Sequence, residues 1–323
     1  MTDYSSRLAS SNKLVLAGGA LGFNWLPVYV AKKLGIFARH GLDVELKRMG
    51  SVDKATAAVL AGEADLAITP PEGAIANAVG GGGLRILAGN VNRLPLTLVA
   101  HPRFKSIEDL RGAVLGTSSL TEGTAIYTRE MLLQHGLTIN DYSFSVVGVH
   151  PARWVALQER TIDAAVQLIP LNFVAIDQGY TDLGEVSDYI PEIVFTALVG
   201  DRAWAMANED KLVALLRSLK EATAALYDAR DDEAALSILE EITQSDRSYA
   251  WRSLGYMREK GVFARSLEVP DVAYRKTIEL MIKADLLNAS DTEVAMAVLD
   301  DTWLRRANQA NGDEEVRDGL HNL

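Results

Sequence analysis

A short phrase that occurs twice limits the folds open to this chain. Residues 60–70, LAGEADLAITP, return loosely as residues 157–170, LQERTIDAAVQLIP. Each copy reads as the end of a helix, a tight turn with an Asp, a short apolar strand and a Pro that suits the start of the next helix. Short apolar runs between helices are typical of buried parallel strands. The repeat therefore predicts two α/β units whose strand ends face one cleft.

The pattern between and after the two copies predicts how the units are divided. The α/β pattern starts again at Ile107, and the sequence after Trp204 has mainly helical apolar spacing. We therefore predict an α/β fold of two lobes with a ligand cleft between them and a helical C-terminal region. Lobe one comprises residues 1–96 and 196–323, and lobe two comprises residues 97–195. The two crossings, near residues 97 and 196, would form a hinge that closes the lobes around a ligand.

Composition excludes several classes of function. The chain has 323 residues, enough for two domains with a sizeable core. Its net charge of −11 argues against non-specific binding of nucleic acid and against binding to an anionic membrane surface. Because the chain has no Cys, disulfides, thiolate metal sites and cysteine nucleophiles are excluded. We predict neither a metal site nor a cofactor, since no cofactor motif occurs and no ligand spacing surrounds His40, His101, His135 or His321.

The start of the chain leaves the cellular location open. Residues 1–11, MTDYSSRLASS, have neither a basic segment nor an apolar core, and no run in the sequence reaches transmembrane length. We therefore expect no stable membrane insertion. The protein is either cytoplasmic, or it is periplasmic or otherwise extracytoplasmic and an export signal was removed from the chain.

Several segments, taken in order, resemble a known family. They are residues 23–46, then 106–112 (SIEDLRG), 147–153 (VGVHPAR) and 161–165 (TIDAA). Together they resemble the solute-binding proteins of ABC importers, in the branch that serves sulfonates, nitrate, taurine and thiamine-precursor pyrimidines. The resemblance extends over about residues 13–220 and implies a periplasmic-binding-protein type II fold. It also implies a small-molecule ligand, an ABC permease as a possible partner, and a role that a monomer can fill.

A hydroxyl-rich loop in lobe two, residues 117–124, is the strongest candidate site. Free N–H groups at the start of the following helix, together with the hydroxyls and a Gly, would suit a sulfonate, carboxylate or phosphate. The alternative is that Thr121 caps the helix and the hydroxyls face solvent. Glu122 would repel an anion unless its carboxylate points away. The predicted ligand contacts in this loop are Ser118, Ser119, Thr121, Gly123 and Thr124.

Two segments of lobe one contribute further candidates. Phe23, Asn24 and Trp25 follow the first predicted strand, and an aromatic ring beside an amide would form a wall for a planar ligand. The alternative is that one or both rings pack in the core. Thr69 and Glu72 follow the first copy of the repeat. Glu72 could meet a cationic amine or a pyrimidine, or it could serve as a favourable charge on the first turn of its own helix.

Three polar residues near the second copy have alternative roles. Gln167 would either reach the ligand or hydrogen-bond to a crossing segment. Arg153 could bind an anion, although we expect a structural salt bridge. His150 is the one histidine near the predicted cleft, and it would be catalytic only if the protein were an enzyme, because its ordinary pKa allows acid–base chemistry near neutral pH.

The favoured hypothesis is a non-catalytic binding protein. It would close on a small organic ligand, anionic or planar, and deliver that ligand to an ABC importer. The alternative is a cytoplasmic enzyme on the same fold, acting as a decarboxylase, a desulfinase or a pyrimidine-related enzyme on a small aromatic or heterocyclic substrate. The sequence shows no convincing nucleophile–base pair, which favours binding without turnover.

Overall fold

The computed structural model describes residues 12–20 and 22–309. The polar start of the chain, Leu21 in the Gly-rich turn and His321 lie outside the described residues, as do the outer ends of the predicted lobe one. Two five-stranded sheets form the framework. The chain passes from the first sheet to the second between Val91 and Leu96, and it returns between Glu185 and Thr196.

The first sheet has the strand order β2-β1-β3-β10-β4. Strand β1 is parallel to β2 and β3, whereas β10 is antiparallel to β3 and β4. These strands are β1 (Lys13–Gly18), β2 (Asp43–Arg48), β3 (Leu66–Thr69), β4 (Leu84–Val91) and β10 (Thr196–Asp201). The helices between them are α1 (Leu26–Lys33), α2 (Ile36–Arg39), α3 (Val52–Leu60) and α4 (Glu72–Val79).

The second sheet repeats this arrangement with the order β7-β6-β8-β5-β9. Strand β6 is parallel to β7 and β8, and β5 is antiparallel to β8 and β9. Its strands are β5 (Leu96–Ala100), β6 (Val114–Thr117), β7 (Ser143–Val146), β8 (Ala164–Leu168) and β9 (Thr181–Glu185). Its helices are α5 (Gly123–Gln134), α6 (His150–Gln158) and α7 (Leu171–Asp177).

The repeated phrase occupies equivalent places in the two sheets. In the first copy, Asp65 Oδ2 accepts a hydrogen bond of 2.7 Å from the backbone amide of Val15, at the start of β3. In the second copy, Asp163 Oδ2 accepts one of 2.9 Å from the amide of Val114, just before β8. Each Asp thus ties the repeated strand to its parallel neighbour, so the repetition reflects a shared local structure.

The C-terminal region is helical, as the apolar spacing predicts. Its helices are α8 (Arg202–Ala207), α9 (Glu209–Leu226), α10 (Asp232–Thr243), α11 (Arg247–Lys260), α12 (Asp271–Lys283) and α13 (Thr292–Met296). Helices α9 and α10 pack on α1, and Leu212, Leu215, Leu216 and Leu219 are buried on the inner face of α9. Among the described helices, none is both long and apolar enough to cross a membrane.

We use lobe one for the first sheet with α1–α4 and α8–α13, and lobe two for the second sheet with α5–α7. Ion pairs join the C-terminal helices to lobe two: Arg252 on α11 meets Asp177 at 2.6 Å, and Lys283 on α12 meets Glu130 at 2.8 Å. The hinge function of the two crossings stays a prediction.

Candidate functional site

A cavity lies between the lobes, where strands end and helices begin. Its empty space amounts to about 640 Å³, part of which is open to solvent. Open α/β sheets bind ligands at this end of their strands. Lobe one supplies Gly19, Ala20, Gly22, Asn24, Trp25, Val52, Ile68, Thr69, Pro70, Phe195 and Thr196, and lobe two supplies Leu96, Ser118, Glu122, Gly123, Thr124, Val149, His150, Arg153 and Leu168.

Six of the residues predicted from the sequence line this cavity. Asn24, Trp25 and Thr69 come from lobe one, and Ser118, Gly123 and Thr124 come from lobe two. All six lie at the end of a strand or the start of a helix, because the pattern that suggested them marks those positions. That they contact a ligand stays a prediction.

Two predicted residues are buried behind the cavity wall. Phe23 packs in the core of lobe one, with its ring 5.3 Å from that of Phe263. Gln167 is also fully buried, and its amide is oriented to donate to the His150 carbonyl at 3.2 Å and to accept from the Trp154 amide at 3.3 Å. Gln167 therefore holds the start of α6, and the structure does not bring it to the cavity.

Ser119 and Thr121 also lie away from the cavity. Thr121 is exposed, and its hydroxyl is 3.1 Å from Ser119 Oγ. Ser119 Oγ in turn approaches Asp53 Oδ1 of lobe one at 3.5 Å. The alternative role for Thr121 as the helix cap is wrong, because α5 begins at Gly123 and the capping position is occupied by Glu122.

Glu72 does not line the cavity either. It is buried between the lobes, where the hydroxyl of Tyr127 on α5 donates a hydrogen bond of 3.2 Å to Glu72 Oε1. Burial raises the pKa of Glu72 to about 7, even though hydrogen bonds from its own amide, Tyr127 and the Gly123 amide favour the charged form. The carboxyl group thus contacts the other lobe where the sequence suggested a ligand.

The hydroxyls of the 117–124 loop hydrogen-bond to one another. Thr117 Oγ1 donates to the Ser119 carbonyl at 2.9 Å, and Thr124 Oγ1 is 2.9 Å from both Thr117 Oγ1 and Ser118 Oγ. A hydroxyl has one hydrogen to donate. Since Thr117 uses its hydrogen on the carbonyl, Thr124 donates to Thr117, and Ser118 donates to Thr124. Ser118 Oγ is therefore left as an acceptor towards the cavity.

Arg153 is a cavity residue for which the sequence favoured another role. Its side chain is buried, and its Nε donates to the Val166 carbonyl at 3.0 Å and its Nη1 to the Gly148 carbonyl at 3.4 Å. Within the described part of the chain it pairs with no carboxylate, so the expected salt bridge is absent. Burial lowers the pKa of Arg153 to about 10, which leaves it charged at neutral pH. Arg153 is the last residue of VGVHPAR, one of the segments that carry the resemblance to solute-binding proteins.

His150 stands between the cavity and a wider opening lined by α7 and the α10–α11 connection. It approaches lobe one so closely that a Cβ added to Gly22 would lie 2.9 Å from His150 Nε2. Burial, followed by the charges of Arg153 and Arg48, lowers the pKa of His150 to about 3. The imidazole is therefore neutral near pH 7, which makes it a poor general acid there.

Lobe one presents a free acceptor and a residue that the sequence did not suggest. Asn24 Oδ1 is buried and has no hydrogen-bond partner among the residues that the structure describes. Asn90 Nδ2 donates to the Asn24 carbonyl at 2.8 Å and to Thr196 Oγ1 at 3.0 Å, and so fixes two cavity residues. Thr196 is the first residue of β10, the strand that follows the return of the chain to lobe one. Its position at the predicted crossing near residue 196 is the sequence feature that could have identified it. No group of His, Asp or Glu that could hold a metal ion occurs among residues 12–20 and 22–309.

The architecture defines a periplasmic-binding-protein-like fold. It has two α/β lobes, each with one antiparallel strand that follows a crossing between the lobes, and a cavity where the strands end. Solved structures share this fold over most of their length. A protein from Bordetella bronchiseptica RB50 is 22% identical with a TM-score of 0.78, covering 93% of this chain and 98% of its own. The periplasmic nitrate-binding protein NrtA from Synechocystis PCC 6803 is 18% identical with a TM-score of 0.76, covering 93% and 89%. The periplasmic aliphatic sulphonate-binding protein SsuA from Escherichia coli is 17% identical with a TM-score of 0.66, covering 92% and 97%.

The chain belongs to the NMT1/THI5 like family, whose model matches residues 22–233, more than half of the sequence. This membership and the shared fold confirm the resemblance to solute-binding proteins. No curated protein matches the sequence significantly.

Proposed function

We propose that this protein binds a small ligand with an anionic group in the cavity between its lobes and delivers it to the permease of an ABC importer. The observation that carries the proposal is Arg153, a buried guanidinium at the cavity that pairs with no carboxylate of the described chain. A buried charge without a counter-ion costs several kcal/mol, so a ligand anion that pairs with it restores that loss.

The remaining polar groups define the rest of the ligand. Asn24 Oδ1 and Ser118 Oγ are acceptors, one on each lobe, so the ligand is expected to carry at least one N–H or O–H donor. The ring of Trp25 offers an apolar wall beside them. A donor-bearing small organic anion fits this set better than a purely inorganic ion does.

Delivery to an importer is supported by the similar proteins. Two of the solved structures are named as periplasmic binding proteins for nitrate and for aliphatic sulphonate. By analogy we place this protein outside the cytoplasm, as a monomer that meets a permease.

Thermal-shift measurements with matched ligands test the proposal. Nitrate, small alkanesulfonates and aminocarboxylates are compared with uncharged analogues of the same size. We expect anions to stabilise the wild type, and Arg153→Gln to weaken binding by about 1.5–3 kcal/mol, roughly ten- to a hundredfold in Kd. Arg160→Gln removes an exposed charge from the same lobe and should bind like the wild type.

Uncharged analogues that bind the wild type as tightly as the anions do, or an Arg153→Gln protein that binds the anions as tightly as the wild type, would contradict the anionic ligand. The enzyme alternative is tested in the same samples by analysing the recovered ligand. Recovery of unaltered ligand supports binding without turnover, whereas product that is lost in His150→Ala would show catalysis.

A further inference from the structure

Three carboxyl groups meet where the lobes touch beside the cavity. Asp53 on α3 and Glu72 on α4 belong to lobe one, and Glu122 at the start of α5 belongs to lobe two. Glu72 is 2% exposed and Glu122 is 4% exposed. The three side chains line one open space, which the apolar Met281 and Leu286 also border.

Glu72 connects lobe one to the start of a helix in lobe two. Its carboxyl group accepts hydrogen bonds from Tyr127 and from the amide of Gly123, the first residue of α5. A carboxylate is stabilised at this position by the helix dipole. Glu122, which occupies the capping position itself, makes no capping hydrogen bond with its side chain. Glu72 of lobe one therefore accepts the hydrogen bond at the start of α5 that the side chain of Glu122 would accept if lobe two stood alone.

Glu122 is left without a favourable partner for a negative charge. Its Oε2 and Glu72 Oε2 are both buried, and neither has a hydrogen-bond partner among residues 12–20 and 22–309. In the described part of the chain, no Lys or Arg pairs with Asp53, Glu72 or Glu122, and the three do not form a group that could hold a metal ion. An unpaired buried carboxylate is unstable unless it takes up a proton.

We propose that Glu122 takes up a proton when the lobes close, so that acidic pH favours the closed form and alkaline pH opens it. The titratable groups that face Glu122 are Asp53 from α3, Glu72 from α4 and Tyr127 from its own helix. The residues from the C-terminal region, Met281 and Leu286, do not titrate. The acidic groups that closure brings close to Glu122 are therefore the carboxyl groups of Asp53 and Glu72, both from lobe one.

The direction of the pH effect follows from the two states of Glu122. In this structure, which we take as the closed form because the lobes touch, burial and then the charges of Glu72 and Asp53 raise the pKa of Glu122 to about 9. In an open form the side chain faces water, where a Glu has a pKa of about 4.3. Between these values the closed form holds more protons than the open form. For one proton, the ratio of closed to open molecules falls by up to about tenfold per pH unit as the pH rises.

The test needs no ligand, so its result is independent of the proposed function. Because the chain has no Cys, labels can be placed at Met206→Cys in lobe one and Ile139→Cys in lobe two, both exposed positions. The distance distribution between the labels gives the ratio of closed to open molecules. For the wild type we expect this ratio to fall at least tenfold between pH 6 and pH 8.5.

Three variants separate Glu122 from the other ionisable groups. Glu122→Gln keeps the shape and removes the proton, so its ratio should change little above about pH 7 and should fall less than that of the wild type over the whole range. The decline that remains below about pH 7 comes from Glu72, whose pKa burial raises to about 7. Glu159→Gln changes an exposed carboxylate of lobe two and should follow the wild type. Asp53→Asn removes one neighbouring charge and should move the transition to lower pH. A wild-type ratio that does not change with pH, or a Glu122→Gln protein as pH-dependent as the wild type, would overturn the proposal.

Discussion

The indole ring of Trp25 lies directly over the backbone of Gly18, so closely that a Cβ at Gly18 would be 2.2 Å from Trp25 Cζ2. Gly18 is the last residue of β1, and Trp25 is 3% exposed and lines the cavity. The position of the ring therefore depends on the absence of a side chain at the end of the first strand. One wall of the cavity is set by this contact.

Gly18→Ala should displace the Trp25 ring from the cavity wall. Because the added methyl group meets ring atoms at less than van der Waals distance, we expect the free energy of unfolding to fall by about 1–3 kcal/mol. Chemical denaturation measures this change, and Trp fluorescence reports the altered ring environment. Gly255→Ala is the matched control, because a Cβ there meets nothing within 4 Å and helix α11 should gain up to about 1 kcal/mol. Equal effects of the two substitutions would contradict the assigned contact.

Removal of the repeated Asp should weaken each sheet separately. Asp65→Ala deletes the acceptor of the Val15 amide and of Trp204 Nε1, which donates to Asp65 Oδ1 at 2.9 Å. We expect a loss of about 1–3 kcal/mol in the free energy of unfolding, and Asp163→Ala should cost a similar amount in lobe two. Asp43→Ala, on an exposed position of β2, should change it by less than about 0.5 kcal/mol. Losses no larger than that of the control would show that these hydrogen bonds are dispensable.

Thr124→Val should disrupt the hydroxyl cluster beside the cavity. It leaves Thr117 and Ser118 without their shared partner, so we expect a loss of about 1–3 kcal/mol in stability together with weaker ligand binding. Thr121→Val makes the same chemical change at an exposed position and should alter both quantities little. Thermal shifts with and without ligand measure the two effects. Equal loss of affinity in both variants would contradict this placement of the site.

His150 should lower stability as the solution is acidified. Its pKa is about 3 in the folded protein and about 6.5 in an unfolded chain, so the unfolded state binds more protons between these values. Stability from this group is therefore complete above pH 6.5 and is lost as the pH falls. In His150→Gln this part of the pH dependence should be missing. Denaturation curves from pH 4 to pH 7 test this, since all other groups contribute alike to both proteins; parallel curves would disprove it.

The arrangement of helices and strands was predictable from the sequence to a large extent. The repeated phrase marks β3 and β8, which hold equivalent places in the two sheets, because buried strands and helix starts leave a pattern in neighbouring residues. That Asn24, Thr69 and Thr124 line the cavity was predictable for the same reason, since strand ends and helix starts converge in this type of sheet; their contact with a ligand stays a prediction.

The residues that were predicted at the cavity but do not line it were misplaced for a different physical reason. Phe23 and Trp25 are two residues apart and both aromatic, yet Phe23 is covered by Phe263 from the C-terminal region while Trp25 faces the cavity. Glu72 follows Thr69 by three residues, but its carboxyl group meets Tyr127 of the other lobe. Which side chain is covered depends on segments that are distant in sequence, and no local pattern encodes that.

The sequence by itself determined the two α/β units, their helical C-terminal region and the short polar segments from which a site could be built. Those features follow from periodicity, turn residues and helix starts, which act over a few neighbouring residues. Only the tertiary structure decided that Arg153 lies at the cavity without a counter-ion from the described residues, and that Asp53, Glu72 and Glu122 meet across the lobes. The energies of buried charges depend on how far water is excluded and on which groups come close, and both are set when the two lobes pack together.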